Sequence, residues 1–252
     1  MIYDETTERL DYINESLTII QKKDGLTFGT DSYLLAAFSR SISRGKCVEF
    51  GGGTGVVSLL MAARQKYAAI YSVEVQEYFA SLIGRNAEFN NLSDTVKNVY
   101  ADVRSISSAM FSGEVDSVVS NPPYMKADSG RGNLSPEMNT ARREENGTIT
   151  DFCAAASRIL KWGGYFTVVY RPDRLADLLC AMRNANLEPK RMIMAYPSAS
   201  DKPCLTLVEA KKGAASGLIV SRPLLIYSDK ASGEYTPDMQ AVYDSFSLEH
   251  LF

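Results

Sequence analysis

The chain has very little of what metal sites and disulfide frameworks need. Its 252 residues contain one histidine and four cysteines, and the cysteines are scattered with no CxxC pair. Neither a zinc site nor a disulfide framework can be assembled from such a set. We therefore expect reduced, structural thiols and no bound metal ion.

The chain also lacks a long apolar run and an excess of positive charge. No stretch approaches the roughly 18 consecutive apolar residues of a membrane span, and the amino terminus is acidic rather than basic. These features predict a cytoplasmic protein without a membrane partner. The net charge of -3 argues against nucleic-acid binding through bulk charge, so any contacts with RNA must be local.

Short β-branched runs alternate with longer segments that are compatible with helices. This alternation is typical of an α/β fold with a mostly parallel sheet. The predicted strands are 47–50, 70–73, 96–100, 116–120, 165–170, 191–196 and 205–210, and the predicted helices are 54–66, 76–90, 149–160 and 172–185. Gly163 and Gly164 are interpreted as a turn, and 217–252 as an extra strand pair with a last helix.

We expect one monomeric domain over residues 1–252. It would carry an N-terminal cap over about 1–45 and a C-terminal extension over about 214–252. A segment from 125 to 147 is rich in Gly, Ser, Asn and charge and has little periodicity. We predict a long loop there, of a kind that is often functional.

The first predicted strand runs directly into a glycine-rich segment, Glu49–Gly55 (EFGGGTG). Gly51, Gly53 and Gly55 stand where the backbone must turn tightly and approach a ligand at the mouth of a helix. Their spacing is GxGxG and differs from the GxGxxG of NAD-binding folds. The segment predicts a nucleotide-type pocket.

Acidic residues follow the next two predicted strands, Glu74 in YSVEVQ and Asp102 in YADV. Glu74 can accept both ribose hydroxyls, Asp102 can accept from an adenine amino group, and Glu49 suits an ammonium group. Val75 and Val103, which follow two of these acids, complete the predicted set. An adenosine joined to an amino acid describes S-adenosylmethionine better than NAD, whose pyrophosphate would prefer the GxGxxG loop.

The sequence Asn121–Tyr124 (NPPY) ends the fourth predicted strand. An adenine amine is a poor nucleophile because its lone pair is delocalised into the ring. The Asn121 side-chain oxygen and the Pro122 carbonyl can accept the two amine hydrogens and stabilise the charge that develops. Pro123 would stiffen the loop and Tyr124 would stack on the base. These four residues are the predicted catalytic site.

Together these motifs resemble those of class I S-adenosylmethionine-dependent methyltransferases. NPPY resembles the (N/D/S)PP(Y/F/W) signature of the members that methylate amino groups. The resemblance implies a Rossmann-like sheet of seven strands, mostly parallel with the last strand reversed, flanked by helices. It also implies S-adenosyl-L-methionine as cofactor and S-adenosyl-L-homocysteine as product.

A narrower resemblance is to the bacterial tRNA1(Val) adenine-N6 methyltransferase family. It includes Phe28–Leu35 (FGTDSYLL) and extends from about Leu17 to Gly213, with further matches at 141–144, 160–164, 170–175 and 208–213. Arg143 stands where a histidine is expected and Trp162 where a proline is usual. The resemblance implies that Phe28, Thr30 and Asp31 cap the cofactor. It further implies a tRNA partner, methylated at the adenine beside the anticodon, adenine 37.

NPPY alone leaves other acceptors open, namely an adenine in DNA, the N2 of an rRNA guanine and the N5 of a protein glutamine. About 45 residues before the first strand leave little room for the helical domain that a glutamine enzyme usually carries. A third hypothesis is a module that binds the cofactor without chemistry, against which an intact NPPY argues. Candidate RNA contacts are Tyr124, Arg131, Arg142, Arg143, Lys22–Lys23, Lys190–Arg191 and Lys211–Lys212.

Overall fold

The computed structural model describes residues 3–14, 16–24, 28–122 and 147–252. Almost all of the predicted 125–147 loop lies outside the described residues. So do two of the predicted catalytic residues, Pro123 and Tyr124, and the three loop arginines, Arg131, Arg142 and Arg143.

The described residues form a nine-stranded sheet with helices packed on it and a two-stranded hairpin on either side in sequence. The first hairpin is β1 (Glu8–Asn14) and β2 (Leu17–Lys22). The sheet contains β3 (Ile42–Phe50), β4 (Tyr67–Glu74), β5 (Val96–Tyr100), β6 (Val115–Ser120), β7 (Leu160–Tyr170), β8 (Leu187–Tyr196), β9 (Leu205–Lys212), β10 (Ile219–Val220) and β11 (Leu224–Leu225). The helices are α1 (Thr30–Phe38), α2 (Val56–Ala63), α3 (Glu77–Phe89), α4 (Ile149–Ile159), α5 (Leu175–Asn184) and α6 (Pro237–Ser245), and the second hairpin is β12 (Tyr227–Asp229) with β13 (Glu234–Tyr235).

The strand order is β10-β8-β9-β7-β6-β3-β4-β5, with β11 also paired to β8. The strands β3 to β7 pair in parallel, whereas β9 runs antiparallel to both β7 and β8. The predicted mostly parallel sheet with a reversed strand is therefore confirmed. The chain changes direction across the sheet between β3 and β6, which is where open α/β sheets bind their ligands.

Successive residues of the central strands point to opposite faces of the sheet and build two cores. Val119 and Val169 pack with α1, α2 and α6, whereas Val118 and Val168 pack with α4 and α5. Burial on both faces explains why consecutive residues such as Val118 and Val119, or Val168 and Val169, are both apolar instead of alternating with polar ones.

The predicted turn at Gly163 and Gly164 is wrong, because both glycines lie within β7. The β6–β7 pairing moves from Val115↔Leu160 to Ser117↔Tyr165, so β7 has extra residues opposite its partner. Gly163 has a φ of +80°, which a residue without Cβ adopts at little cost. The glycines therefore mark a bulge, a common role of glycine inside a strand.

The predicted helix 172–185 is two elements. A 3-10 turn covers Pro172–Arg174, and α5 begins only at Leu175. Pro172 is placed in the first turn, where its missing N–H costs no hydrogen bond.

The N-terminal hairpin is fixed to α3 by two asparagines four residues apart on one helical face. Asn90 Oδ1 accepts from the N–H of Thr18 at 2.9 Å, and Asn86 Oδ1 accepts from the N–H of Ile20 at 2.7 Å. Asn86 Nδ2 also donates to the Thr54 carbonyl at 2.9 Å, within the glycine-rich segment. The two carboxamides thus form hydrogen bonds with the backbone of β2, as a neighbouring strand would. Asn86 also connects β2 to the glycine loop.

The C-terminal extension adds β10 and β11 to the edge strand β8 and packs α6 on α1. Met239 and Val242 of α6 are fully buried in the same core as α1 and α2. No helix within the described ranges is long and apolar enough to cross a membrane.

Candidate active site

The glycine loop follows β3 and packs against Ile83 of α3. Gly51, Gly53 and Gly55 all have positive φ, at 71°, 54° and 83°. The N–H groups of Gly51 and Gly52 donate to the Val73 carbonyl at 2.9 and 3.0 Å. A Cβ on Gly52 would lie 2.1 Å from Ser72 Oγ, so this position needs glycine for packing.

The loop leaves a cradle that fits a cofactor. A Cβ built on Gly51 or Gly53 would meet no atom within 4 Å. Glu74 borders this space, since its Oε2 accepts from the Gly53 N–H at 3.0 Å and its Oε1 from the Gln76 N–H at 2.9 Å. Burial raises the pKa of Glu74. Each carboxylate oxygen has a second lone pair, which suits the ribose hydroxyls predicted from the sequence.

Glu49 lies at the end of β3 and is only 3% exposed. Its Oε2 accepts from Ser72 Oγ at 2.8 Å, from the Ser58 N–H at 3.2 Å and from Ser58 Oγ. Burial raises the pKa of Glu49 to about 7 despite these hydrogen bonds. The two serines were not singled out from the sequence. Ser72 shares a strand face with Glu74, and Ser58 is the single polar residue in an apolar helix, so both signals were present.

The raised pKa of Glu49 predicts a pH-dependent cofactor affinity. If Glu49 accepts the cofactor ammonium, it must be ionised, so binding weakens as the carboxylate takes up a proton. With a pKa of about 7, Kd is expected to rise about tenfold between pH 8 and pH 6. Isothermal titration of the wild type and of Glu49→Gln across this range measures it. The variant should bind weakly with a flat profile, and an unchanged slope in Glu49→Gln would remove Glu49 from this role.

The ligand-free protein should show the opposite trend at Glu49. A raised pKa means that the folded protein holds the proton more tightly than the unfolded chain does. The stabilising contribution is therefore lost as the pH rises from about 4.5 to about 7. Comparing the Tm of the wild type and of Glu49→Gln over this range isolates the contribution.

Asp102 follows β5 at the same edge of the sheet and is paired with Arg104. Its Oδ1 accepts from the Arg104 N–H at 2.8 Å, and both oxygens accept from the Arg104 Nε at 3.0 Å. This hydrogen bonding lowers the pKa of Asp102. Val75 is half-buried beside Glu74, and Val103 is buried in the core on the side of α4. The sequence did not indicate that Arg104 holds the carboxylate.

Replacing Asp102 by alanine is expected to weaken cofactor binding about 10- to 100-fold, the usual loss for a hydrogen bond to a charged group. A matched control is Asp238→Ala on α6. This variant removes an aspartate that is about as exposed as Asp102 and that is likewise paired with an arginine, Arg222. That control should leave Kd unchanged. Titration calorimetry measures both, and unchanged binding in Asp102→Ala would exclude the residue from the pocket.

The first two residues of the predicted acceptor motif, Asn121 and Pro122, lie beside the glycine loop. Phe50 and Ser120 are register partners of β3 and β6, and Ser120 Oγ donates to the Phe50 carbonyl at 3.0 Å. Asn121 and Gly51, the next residues, therefore leave neighbouring strand ends together. Asn121 is half-buried and Pro122 is buried.

The start of helix α1 lies at the same site as the glycine loop and Asn121. Thr30 begins this helix, Asp31 lies in its first turn, and the Phe28 ring lies 6.1 Å from that of Tyr33. Asn121 Nδ2 donates to Asp31 Oδ2 at 2.8 Å. This contact joins residues 90 positions apart, and sequence reasoning, which assigned Asp31 to the cofactor, missed it.

The described basic residues that were predicted to contact RNA differ in their burial and in the edge of the sheet at which they lie. Arg191 is 7% exposed and its guanidinium binds Glu209 and Glu249, so the prediction of a phosphate contact is wrong for this residue. Lys211 and Lys212 end β9, which runs antiparallel and therefore puts them at the opposite edge of the sheet from Asn121.

Lys22 is the last residue of β2, and Lys23 follows it. Lys22 Nζ lies 5.5 Å from the ring centroid of Tyr78, in the first turn of α3. Among the residues that the structure describes, no group of three or more His, Cys, Asp or Glu side chains could hold a metal ion.

Several solved methyltransferase structures have the same fold. A predicted O-methyltransferase of Agrobacterium tumefaciens matches with a TM-score of 0.68 at 22% identity, covering 86% of this chain and 97% of that one. TYW2 of M. jannaschii, solved in complex with AdoMet, matches with a TM-score of 0.57 at 14% identity, covering 83% and 87%. These matches show that the chain shares the fold of these methyltransferases.

The family follows from the sequence comparison. The model of the methyltransferase small domain matches residues 22–182, more than half of the chain, and the chain belongs to this family. The tRNA1(Val) (adenine(37)-N6)-methyltransferase of Bacteroides fragilis is 28% identical over 194 residues, which cover 77% of this chain and 81% of that protein.

Proposed function

We propose that this methyltransferase transfers the methyl group of S-adenosyl-L-methionine to the N6 amine of an adenine in tRNA, at adenine 37 of a valine tRNA. The observation that carries the proposal is the position of Asn121 and Pro122 directly beside the glycine loop, fixed by the pairing of Phe50 with Ser120. Two preset acceptor oxygens next to a cofactor loop suit an amine with two hydrogens.

The bound cofactor supplies an electrophilic methyl group on a sulfonium. Asn121 Oδ1 and the Pro122 carbonyl accept the two hydrogens of the adenine amine and localise its lone pair on nitrogen. Methyl transfer would form the N–C bond as the C–S bond breaks, so that the cofactor would leave as a neutral thioether and the amine would carry the positive charge. That amine is acidic enough to lose a proton to solvent, so no general base is required.

The choice of tRNA rests on relatives and on one contact. Relatives named for adenine-37 methylation of tRNA1(Val) cover most of this chain at low identity. Within the FGTDSYLL segment, which carries the narrower resemblance, Asp31 hydrogen-bonds the predicted catalytic Asn121. Lys22, which lies 5.5 Å from the Tyr78 ring in the first turn of α3, and the next residue, Lys23, are candidate phosphate contacts.

Transfer of a labelled methyl group tests the proposal. The wild-type enzyme is incubated with an unmodified valine tRNA transcript, the same transcript with guanine at position 37, rRNA and total protein. N6-methyladenosine should form only in the first, as identified by nucleoside mass spectrometry. Asn121→Ala serves as the inactive control.

Other outcomes would replace the proposal with a specific alternative. Label in rRNA as methylguanosine, or in protein, would keep the cofactor and change the acceptor. Cofactor binding without transfer to any substrate would favour a module that does no chemistry.

A further inference from the structure

We propose that Asp31 is a positioning residue that fixes the orientation of the Asn121 carboxamide, so that its oxygen faces the acceptor amine. This inference deepens the proposed amine methylation and rests on it. It assigns Asp31 a task different from the cofactor contact that the sequence resemblance implies.

The hydrogen bond from Asn121 Nδ2 to Asp31 Oδ2, 2.8 Å long, determines which end of the carboxamide points where. A carboxylate can only accept hydrogen bonds, so the NH2 group must face Asp31. The planar amide then directs Oδ1 away from Asp31. A rotation of the amide by half a turn would bring two oxygens together and would aim the NH2 group at an amine that also donates.

Asp31 is itself held in place by its surroundings. Its Oδ1 accepts from the Ser32 N–H at 2.9 Å. A Cβ on Gly29 would lie 3.0 Å from the same Oδ1, so the preceding glycine leaves room for the carboxylate. The first turn of a helix also favours a negative charge.

Helix α1 is anchored at its other end by a buried lysine. Lys66 Nζ donates to the carbonyls of Ala36, Ala37 and Ser39 at 2.7, 3.2 and 2.7 Å. Leu34 and Leu35 of the same helix are fully buried. A carboxylate on a rigid element can therefore hold its partner within the narrow geometric limits that catalysis needs.

The test exchanges the two polar groups. Asp31→Asn is isosteric, but its amide can donate as well as accept, so Asn121 loses its fixed orientation. We expect kcat for tRNA methylation to fall about 10- to 100-fold while the Kd for S-adenosylmethionine stays within about twofold. Asn121→Asp alone would place two carboxylates against each other and should also be impaired.

The double variant Asp31→Asn/Asn121→Asp restores a donor and an acceptor in exchanged positions and keeps an oxygen for the substrate amine. It should recover at least tenfold in kcat over either single variant. Asp238→Asn, in the first turn of α6, is the matched control for loss of a charge at a helix start and should keep full activity. Melting temperatures show whether each variant is folded.

The possible outcomes distinguish a failure of the positioning role of Asp31 from a failure of the proposed tRNA methylation. If wild-type enzyme makes N6-methyladenosine but Asp31→Asn loses cofactor affinity together with kcat, or the double variant is no better than the single ones, the positioning role is overturned and the proposed function stands. If the wild type makes no N6-methyladenosine in tRNA, the proposed function fails, and this inference fails with it.

Discussion

Replacing Asn121 by alanine is expected to lower kcat about 10²- to 10³-fold and to leave the Kd for S-adenosylmethionine within about twofold. The expectation follows from where the residue lies. Asn121 directly follows β6, its amide nitrogen is bound to Asp31, and its oxygen is the side-chain acceptor proposed for the amine. Its loss removes an interaction that strengthens only as positive charge develops on the nitrogen, so turnover suffers and cofactor binding does not.

Single-turnover kinetics with the valine tRNA transcript, beside cofactor titration, measure both quantities. Asn184→Ala, an exposed asparagine at the end of α5, is a control that should change neither. Asn121→Ser should be less damaging than Asn121→Ala, since serine occurs at this position of the signature and keeps an acceptor oxygen. An equal loss of kcat and cofactor affinity in Asn121→Ala would mean that the residue holds the cofactor or the fold.

Hydrophobic pattern was sufficient to predict the central strands, but it placed several strand starts too late. The strand predicted at 47 begins at Ile42, and that predicted at 165 begins at Leu160. The added residues, ISRGK and LKWGG, are polar or glycine-rich. They are strand because a neighbouring strand pairs with part of them, and pairing across the sheet leaves no trace in the local sequence.

The candidate site was predictable in its parts and less so in its connections. Acids and glycines at strand ends could be located because parallel strands share one carboxyl edge. Their partners could not, since the contact of Asp31 with Asn121 depends on how α1 packs against the sheet. The pKa of Glu49 likewise depends on burial, which local composition does not reveal.

Replacing Glu209 by alanine is expected to lower the free energy of unfolding by about 3–5 kcal/mol. Glu209 on β9 is fully buried and accepts from Arg40 Nε at 3.0 Å and from Arg191 Nε at 3.0 Å. The Arg191 guanidinium lies 5.0 and 5.1 Å from the rings of Phe38 and Phe252. Without the carboxylate, the solvent-exposed Glu249 is the one charged partner that this buried cation keeps among the described residues, and the contact between α1 and the C-terminal residues weakens.

Thermal and urea denaturation measure the loss, which corresponds to a fall in Tm of about 10 °C for a chain of this size. Glu249→Ala is the matched control, because it removes the other carboxylate that is paired with Arg191. The Glu249 side chain is 67% exposed. A pair with one partner in solvent contributes about 1 kcal/mol or less. The double variant Arg191→Met/Glu209→Leu should recover much of the loss, since a buried ion pair can be replaced by apolar side chains of similar volume. A loss below about 1 kcal/mol in Glu209→Ala would contradict this prediction and would show that water or Glu249 compensates for the missing charge.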